Sequence, residues 1–208
     1  MSRIFVSLAI TDFSLLVASY VLGLVSVSAG PGRHDRELGV HFLIALFTVM
    51  FSLLVHSIAY TYLMGTNRWV KEVVEVYKMP AEIAARSKAN KRKGFKWEFR
   101  AMAIVAVAAW LGAWVHREYP KAVPAQSMYH HIAAVCVIVF SLMAFVFEYR
   151  IIGEQGKLLD EVKSLADSMR EARIAERLAA GAASPEVPKS SGLSSTTSTP
   201  PSNDSLAS

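Results

Sequence analysis

The chain has 208 residues, of which 53 % are hydrophobic and only 19 % charged, with a formal net charge of +5. A soluble domain carries about 25 % charged residues, so this balance excludes an ordinary soluble enzyme and a chain disordered along its whole length. The single Cys136 lies within an apolar block; it cannot close an internal disulfide and reads as a packing thiol, which removes the secreted disulfide scaffold as well.

The apolar residues fall in four blocks. The first, residues 4–28, has Asp12 as its only charge; the second, 40–64, has no Asp, Glu, Lys or Arg but carries His41 and His56. Each is long enough, at about 37 Å as helix, to cross a hydrocarbon core of about 30 Å. The first also resembles a leader ending at Val27-Ser28-Ala29, but its length and Asp12 favour a retained span. Two shorter blocks follow, extended by their interfacial residues to 99–119 and 128–150. A backbone in lipid must bond to itself, so all four are expected to be helices. The fold class that follows is all-α, an integral membrane four-helix bundle over residues 1–152.

Lys and Arg set the expected orientation. With both termini inside, the inner segments carry 18 of these residues and the outer segments 4. The bias places both termini in the cytoplasm and the chain, as a multi-pass protein, in a bacterial-type inner membrane. Trp69, Trp97 and Tyr149 then mark the inner edge, and Trp114, Tyr119 and Tyr129 the outer edge.

The segment 65–98 is expected to be a cytoplasmic loop. Its first part, 68–77, spaces Trp69, Val70, Val73, Val74 and Tyr77 as an amphipathic helix continuing span two and ending near Pro80. A basic run over 86–96 follows, in which Lys91, Arg92, Lys93 and Lys96 suit anionic lipid headgroups or a partner protein. After span four, residues 153–179 form an amphipathic, coiled-coil-like helix with Leu158, Val162, Leu165, Met169 and Ala172 at heptad spacing. It would dock on the inner loop, on a partner or second copy, or on the membrane surface. Residues 180–208 are rich in Ser, Thr, Pro and Gly and are expected to be a disordered tail.

Polar residues within the spans carry what functional signal there is, because a charge facing lipid costs at least about 2.5–3.5 kcal/mol. At 100° per residue, Asp12, Ser19, Gly23 and Ser26 share a face of span one, and His41, Thr48, Ser52 and His56 a face of span two. His130, Ser141 and Glu148 share a face of span four, and Val105, Ala109 and Gly112 lead along span three to His116. Depth then gathers Asp12, His56 and Glu148 into an inner polar cluster, in which Asp12 is expected to meet His56. His41, His116, His130 and His131 gather near the outer edge with ligand types that suit haem or a metal ion, His41 and His130 being the expected axial pair. A packing role for both groups is the plain alternative, since an intramembrane His often serves only as an interhelical donor.

No nucleotide-binding glycine loop, zinc-protease, paired-cysteine or serine-hydrolase motif is present, and His130-His131 lacks the spacing of a di-iron box. No inverted repeat is evident, since the first two spans differ from the last two in length and polar pattern. No catalytic residues are expected, and no nucleic-acid partner. The first expectation is a non-enzymatic accessory or scaffold subunit held by the bilayer and by a partner or self-contact through 154–179. The alternatives are a haem- or metal-binding redox subunit using the outer histidines, and a proton-transfer element using Asp12, His56 and Glu148.

Overall fold

In the computed structural model, residues 1–28, 34–118 and 124–182 are described, and almost all of them are helical. Four helices appear among them: α1 (Ser2–Ser28), α2 (His34–Tyr77), α3 (Ala81–Glu118) and α4 (Pro124–Ala182). All four are long and apolar enough to cross a membrane. The ends of the bundle are called inner and outer here after the charge-derived orientation. The tail beyond Ala182 lies outside the described residues.

The segment expected to be a loop at 65–98 is a pair of helical extensions joined by one tight turn. Helix α2 runs unbroken through the amphipathic stretch to Tyr77. There the Lys78 amide donates to the Glu75 carbonyl (3.3 Å) and the Met79 amide to the Val74 carbonyl (3.0 Å), with Lys78 at φ 53°. These are the two bonds of a Schellman cap, with lysine where glycine is usual and Met79 packed with Val74 as its apolar clasp. Pro80, unable to continue a helix from behind but compatible with the start of one, then opens α3. The basic run 86–96 is helical and continuous with span three. Ile83, Ser87, Asn90 and Gly94 recur every three or four residues and face inward, while Arg92, Lys93 and Lys96 point to solvent and Lys91 is half-buried. That inward face is what a reading of the charges alone misses.

Three buried clusters hold the first unit of the chain, Met1–Met169. In the inner half of the spans, Phe5 and Ala9 meet Val55 and Ala59 of α2 and Phe145 and Ile152 of α4. In the outer half, Leu16 meets Val105 and Ala108 of α3 and Val137 of α4. Beyond the inner edge, Val70 and Val74 pack with Met79, Ile83, Leu158 and Val162, so the heptad face of α4 docks on the extensions of α2 and α3. Arg86 and Glu161 bridge the same contact at 3.0 Å. The face ends at Met169. From Arg170 the chain forms a second unit, and its described part is helix whose side chains, Ala172 included, are exposed through Ala180.

Candidate functional site: an inner polar cluster and an outer histidine cavity

One titratable residue from each helix converges in the inner half of the bundle: Asp12, His56, Glu98 and Glu148, all at 0 % exposure. His56 Nδ1 lies 2.7 Å from Glu148 Oε1, within hydrogen-bond distance. Ser52 Oγ donates to Asp12 Oδ1 at 2.6 Å. The direct partner of His56 is therefore Glu148, while Asp12 lies within electrostatic reach of both His56 and Glu148. Helical period explains the swap. Ser52 stands one turn before His56 on the same face of α2 and takes the contact with α1, leaving the imidazole to face α4.

Glu98 is the member that sequence reasoning missed. It sits within electrostatic reach of Glu148, and neither of its carboxyl oxygens has a hydrogen-bond partner. It precedes the apolar block of span three and is the last residue of the basic segment 65–98. The available signal was the spacing Ser87, Asn90, Gly94, Glu98, Ala101, which is one helical face. Gly94 allows that face to close, since a Cβ there would collide with Leu63 Cδ1 and lie 3.3 Å from Glu98 Oε1.

Directly inward lies a second polar layer. Asn67 Nδ2 and Gln155 Nε2 each donate to Ser87 Oγ at 3.0 Å, and Asn90 Nδ2 donates to Gln155 Oε1 at 3.3 Å. All four side chains are buried, and together they tie α2, α3 and α4.

In the outer half a cavity of about 480 Å³ is lined by His41, His116, His130 and His131 among mostly apolar side chains. His41 Nδ1 is 3.1 Å from the Ser19 carbonyl of α1, and a Cβ on Gly23 would come within 3.0 Å of the His41 ring. His130 repeats the arrangement on α3. It lies beside the Ala108 carbonyl, its Nδ1 buried without a formed hydrogen bond, and a Cβ on Gly112 would come within 2.8 Å of its ring. His116 stacks on Phe42 (4.7 Å between centroids, 17°), and His131 meets Tyr20 edge-on at 6.3 Å. Among the described residues no three His, Cys, Asp or Glu side chains converge closely enough to hold a metal ion. Lys91, Arg92, Lys93 and Lys96 belong to the inner extension of α3 and to neither site.

The two histidine arrangements are related by 89 positions: 41 and 130, 23 and 112, 19 and 108. The same offset relates Ala45 to Ala134, Phe51-Ser52-Leu53 to Phe140-Ser141-Leu142, and Tyr60 to Tyr149. It also relates the burial. Positions 5, 9, 12, 16 and 19 of α1 are buried, and so are 94, 98, 101, 105 and 108 of α3; positions 48, 52, 55, 56, 59 and 63 of α2 match 137, 141, 144, 145, 148 and 152 of α4. Over these stretches the two helical hairpins present their buried faces at a common offset, although Ser26 against Val115 and Asn67 against Gly156 depart from it. The expected difference in polar pattern between the first two spans and the last two is thus only partial, since His41/His130, Gly23/Gly112 and Ser52/Ser141 coincide, although few of the paired residues are identical. Comparison with protein-family models, with curated proteins and with solved structures finds no match to this chain.

Proposed function

We propose that this chain is a multi-pass membrane protein, both termini cytoplasmic, that carries one haem-type iron porphyrin in the outer cavity between His41 and His130. The observation that supports this reading most directly is the repeated construction of the two histidines. A metal-ligating His characteristically gives its second ring nitrogen to a carbonyl or carboxylate, which fixes ring and tautomer and leaves Nε2 for the metal. His41 has that backing from Ser19, and His130 stands beside the equivalent carbonyl of Ala108. Gly23 and Gly112 supply the close helix approach that seats each ring. The cavity lies within the roughly 300–1,000 Å³ of small-molecule pockets, and its wall is apolar with few polar groups, as such sites are. Two histidines suffice as protein ligands for an iron already held by four porphyrin nitrogens, whereas a bare ion needs a larger protein ligand set than these residues provide.

When bound, an iron with two imidazole ligands takes up and releases one electron without opening a site for a substrate. His41 and His130 would hold it, and the apolar wall would keep it dry. The chain would then serve as an electron-carrying subunit rather than an enzyme in its own right.

The test is the absorption spectrum of the full-length protein purified from haem-replete cells. A Soret band is expected in the native protein and in His56→Gln, and its loss in both His41→Ala and His130→Ala. A colourless protein that also takes up no added haemin removes this reading and leaves the accessory subunit.

A further inference from the structure

The inner cluster contains more acid than its surroundings can neutralise. Asp12, Glu98 and Glu148 are fully buried, the only buried titratable base facing them is His56, and among the described residues no Lys or Arg is buried. With every group charged, the cluster would carry three negative charges against one positive. A low-dielectric interior does not hold that imbalance; the groups neutralise by binding protons instead. Their geometry agrees, because Asp12 Oδ2, Glu148 Oε2, His56 Nε2 and both Glu98 oxygens have no hydrogen-bond partner. A purely structural ion pair satisfies its lone pairs. The pair leaves one polar atom open on each side, and the cluster as a whole leaves five.

A second buried polar layer lies inward of the cluster. Asn67 follows His56 by eleven residues, Gln155 follows Glu148 by seven, and Ser87 precedes Glu98 by eleven, each close to a whole number of helical turns. The buried layer of Asn67, Ser87, Asn90 and Gln155 therefore lies on the same three helix faces, between the cluster and the inner end.

We propose that Asp12, His56, Glu98 and Glu148 form a proton-storage site that exchanges with water at the inner end through this polar layer. The stored proton sits as a carboxyl O–H on Glu98 or Glu148, which lie within electrostatic reach of each other; its release to water restores the carboxylate, with the His56–Glu148 contact absorbing the change. The site does not depend on haem in the outer cavity.

Infrared spectroscopy of the full-length protein in lipid nanodiscs at neutral pH tests it. A protonated-carboxyl stretch is expected, shifting on transfer to D₂O. Glu98→Gln and Glu148→Gln should each remove part of the band, and Glu72→Gln, on the exposed face of α2, should leave it intact. Absence of the band in the native protein overturns the proposal, and so does a band that fails to shift in D₂O, which marks a sealed packing device. A band unchanged in Asp12→Asn, Glu98→Gln and Glu148→Gln alike also overturns it. The first two readouts use the native protein, so they decide the matter even where a variant does not fold.

Discussion

The His56 imidazole lies on the ring of Phe145, 5.3 Å between centroids and 16° between planes, and the two positions are 89 residues apart. They are equivalent members of the two hairpins, as His41 and His130 are in the outer half. Outside, two like residues flank a cavity. Inside, two unlike residues are stacked on each other and fill the space where a second planar group would have to enter. Filling the inner site also brings His56 against α4, where Glu148 meets it.

The His56–Glu148 pair should be strongly coupled. Removing one partner of a buried pair typically costs about 3–5 kcal/mol, because the other is left without compensation. Glu148→Gln and His56→Gln are each expected to lower thermal stability in detergent, and the double variant should lose less than their sum, with a coupling of about 0.5–3 kcal/mol. Asp12→Asn combined with Ser52→Ala should couple in the same way, and Asp12→Asn with His56→Gln more weakly. Additivity within about 0.3 kcal/mol for His56 and Glu148 would show that the two side chains do not meet.

Gly112 should resist enlargement. A Cβ at this position falls 2.8 Å from His130 Cε1, closer than real contacts come, so Gly112→Ala must move the ring or the helix. Overpacking of this kind costs about 1–3 kcal/mol. The change is measured as a fall in melting temperature, with Gly39→Ala, where a Cβ meets nothing, as the contrast.

The cap at Lys78 stores a small, removable strain. A non-glycine residue in the left-handed region is disfavoured by about 1–2 kcal/mol. Lys78→Gly should therefore stabilise the protein slightly or leave it unchanged, while Lys78→Val should destabilise it, as read by thermal melting.

Docking of α4 on the inner extensions makes Leu158 expensive to truncate. It is 1 % exposed among Val70, Val74 and Ile83. Leu158→Ala should cost about 2–5 kcal/mol and open residues 153–169 to limited proteolysis. The exposed Leu178 should tolerate alanine within about 0.5 kcal/mol.

Orientation is tested by reporters. A cytoplasm-active reporter inserted at Met79 or fused after Ser208 is expected to be active, and one placed near Gly32 or Ala125 inactive, on the 18-to-4 distribution of Lys and Arg. Activity at Gly32 on the cytoplasmic side would reverse the orientation.

What was legible in the residues is what period and composition control. Four apolar blocks read as four helices, and Asp12, Ser52, His56, Ser141 and Glu148 read as inward-facing because a charge or hydroxyl in a span has few other places to go. The helical periods could not say which residue meets which across the bundle. Ser52 and His56 share a face, and the packing of α1 against α2 decides that Ser52 takes Asp12. Glu98 was hidden by its basic neighbours, since Lys91, Arg92, Lys93 and Lys96 dominate any composition window that contains it. The common offset was hidden for a different reason. The two hairpins share burial more than identity, and Ala9 against Glu98, or Ala59 against Glu148, looks unrelated until both members are seen to occupy the same depth and face.

The Lys78–Pro80 turn joins the two hairpins covalently, and that link frees them from sameness. Two separate copies of one hairpin, paired about a twofold axis, would have to present the same side chain at both members of every equivalent pair. A lone imidazole opposite a phenyl ring, or a carboxylate opposite a methyl group, could not arise. One polypeptide lets each half differ: the outer pair is alike, while the inner positions are acid, base and filler.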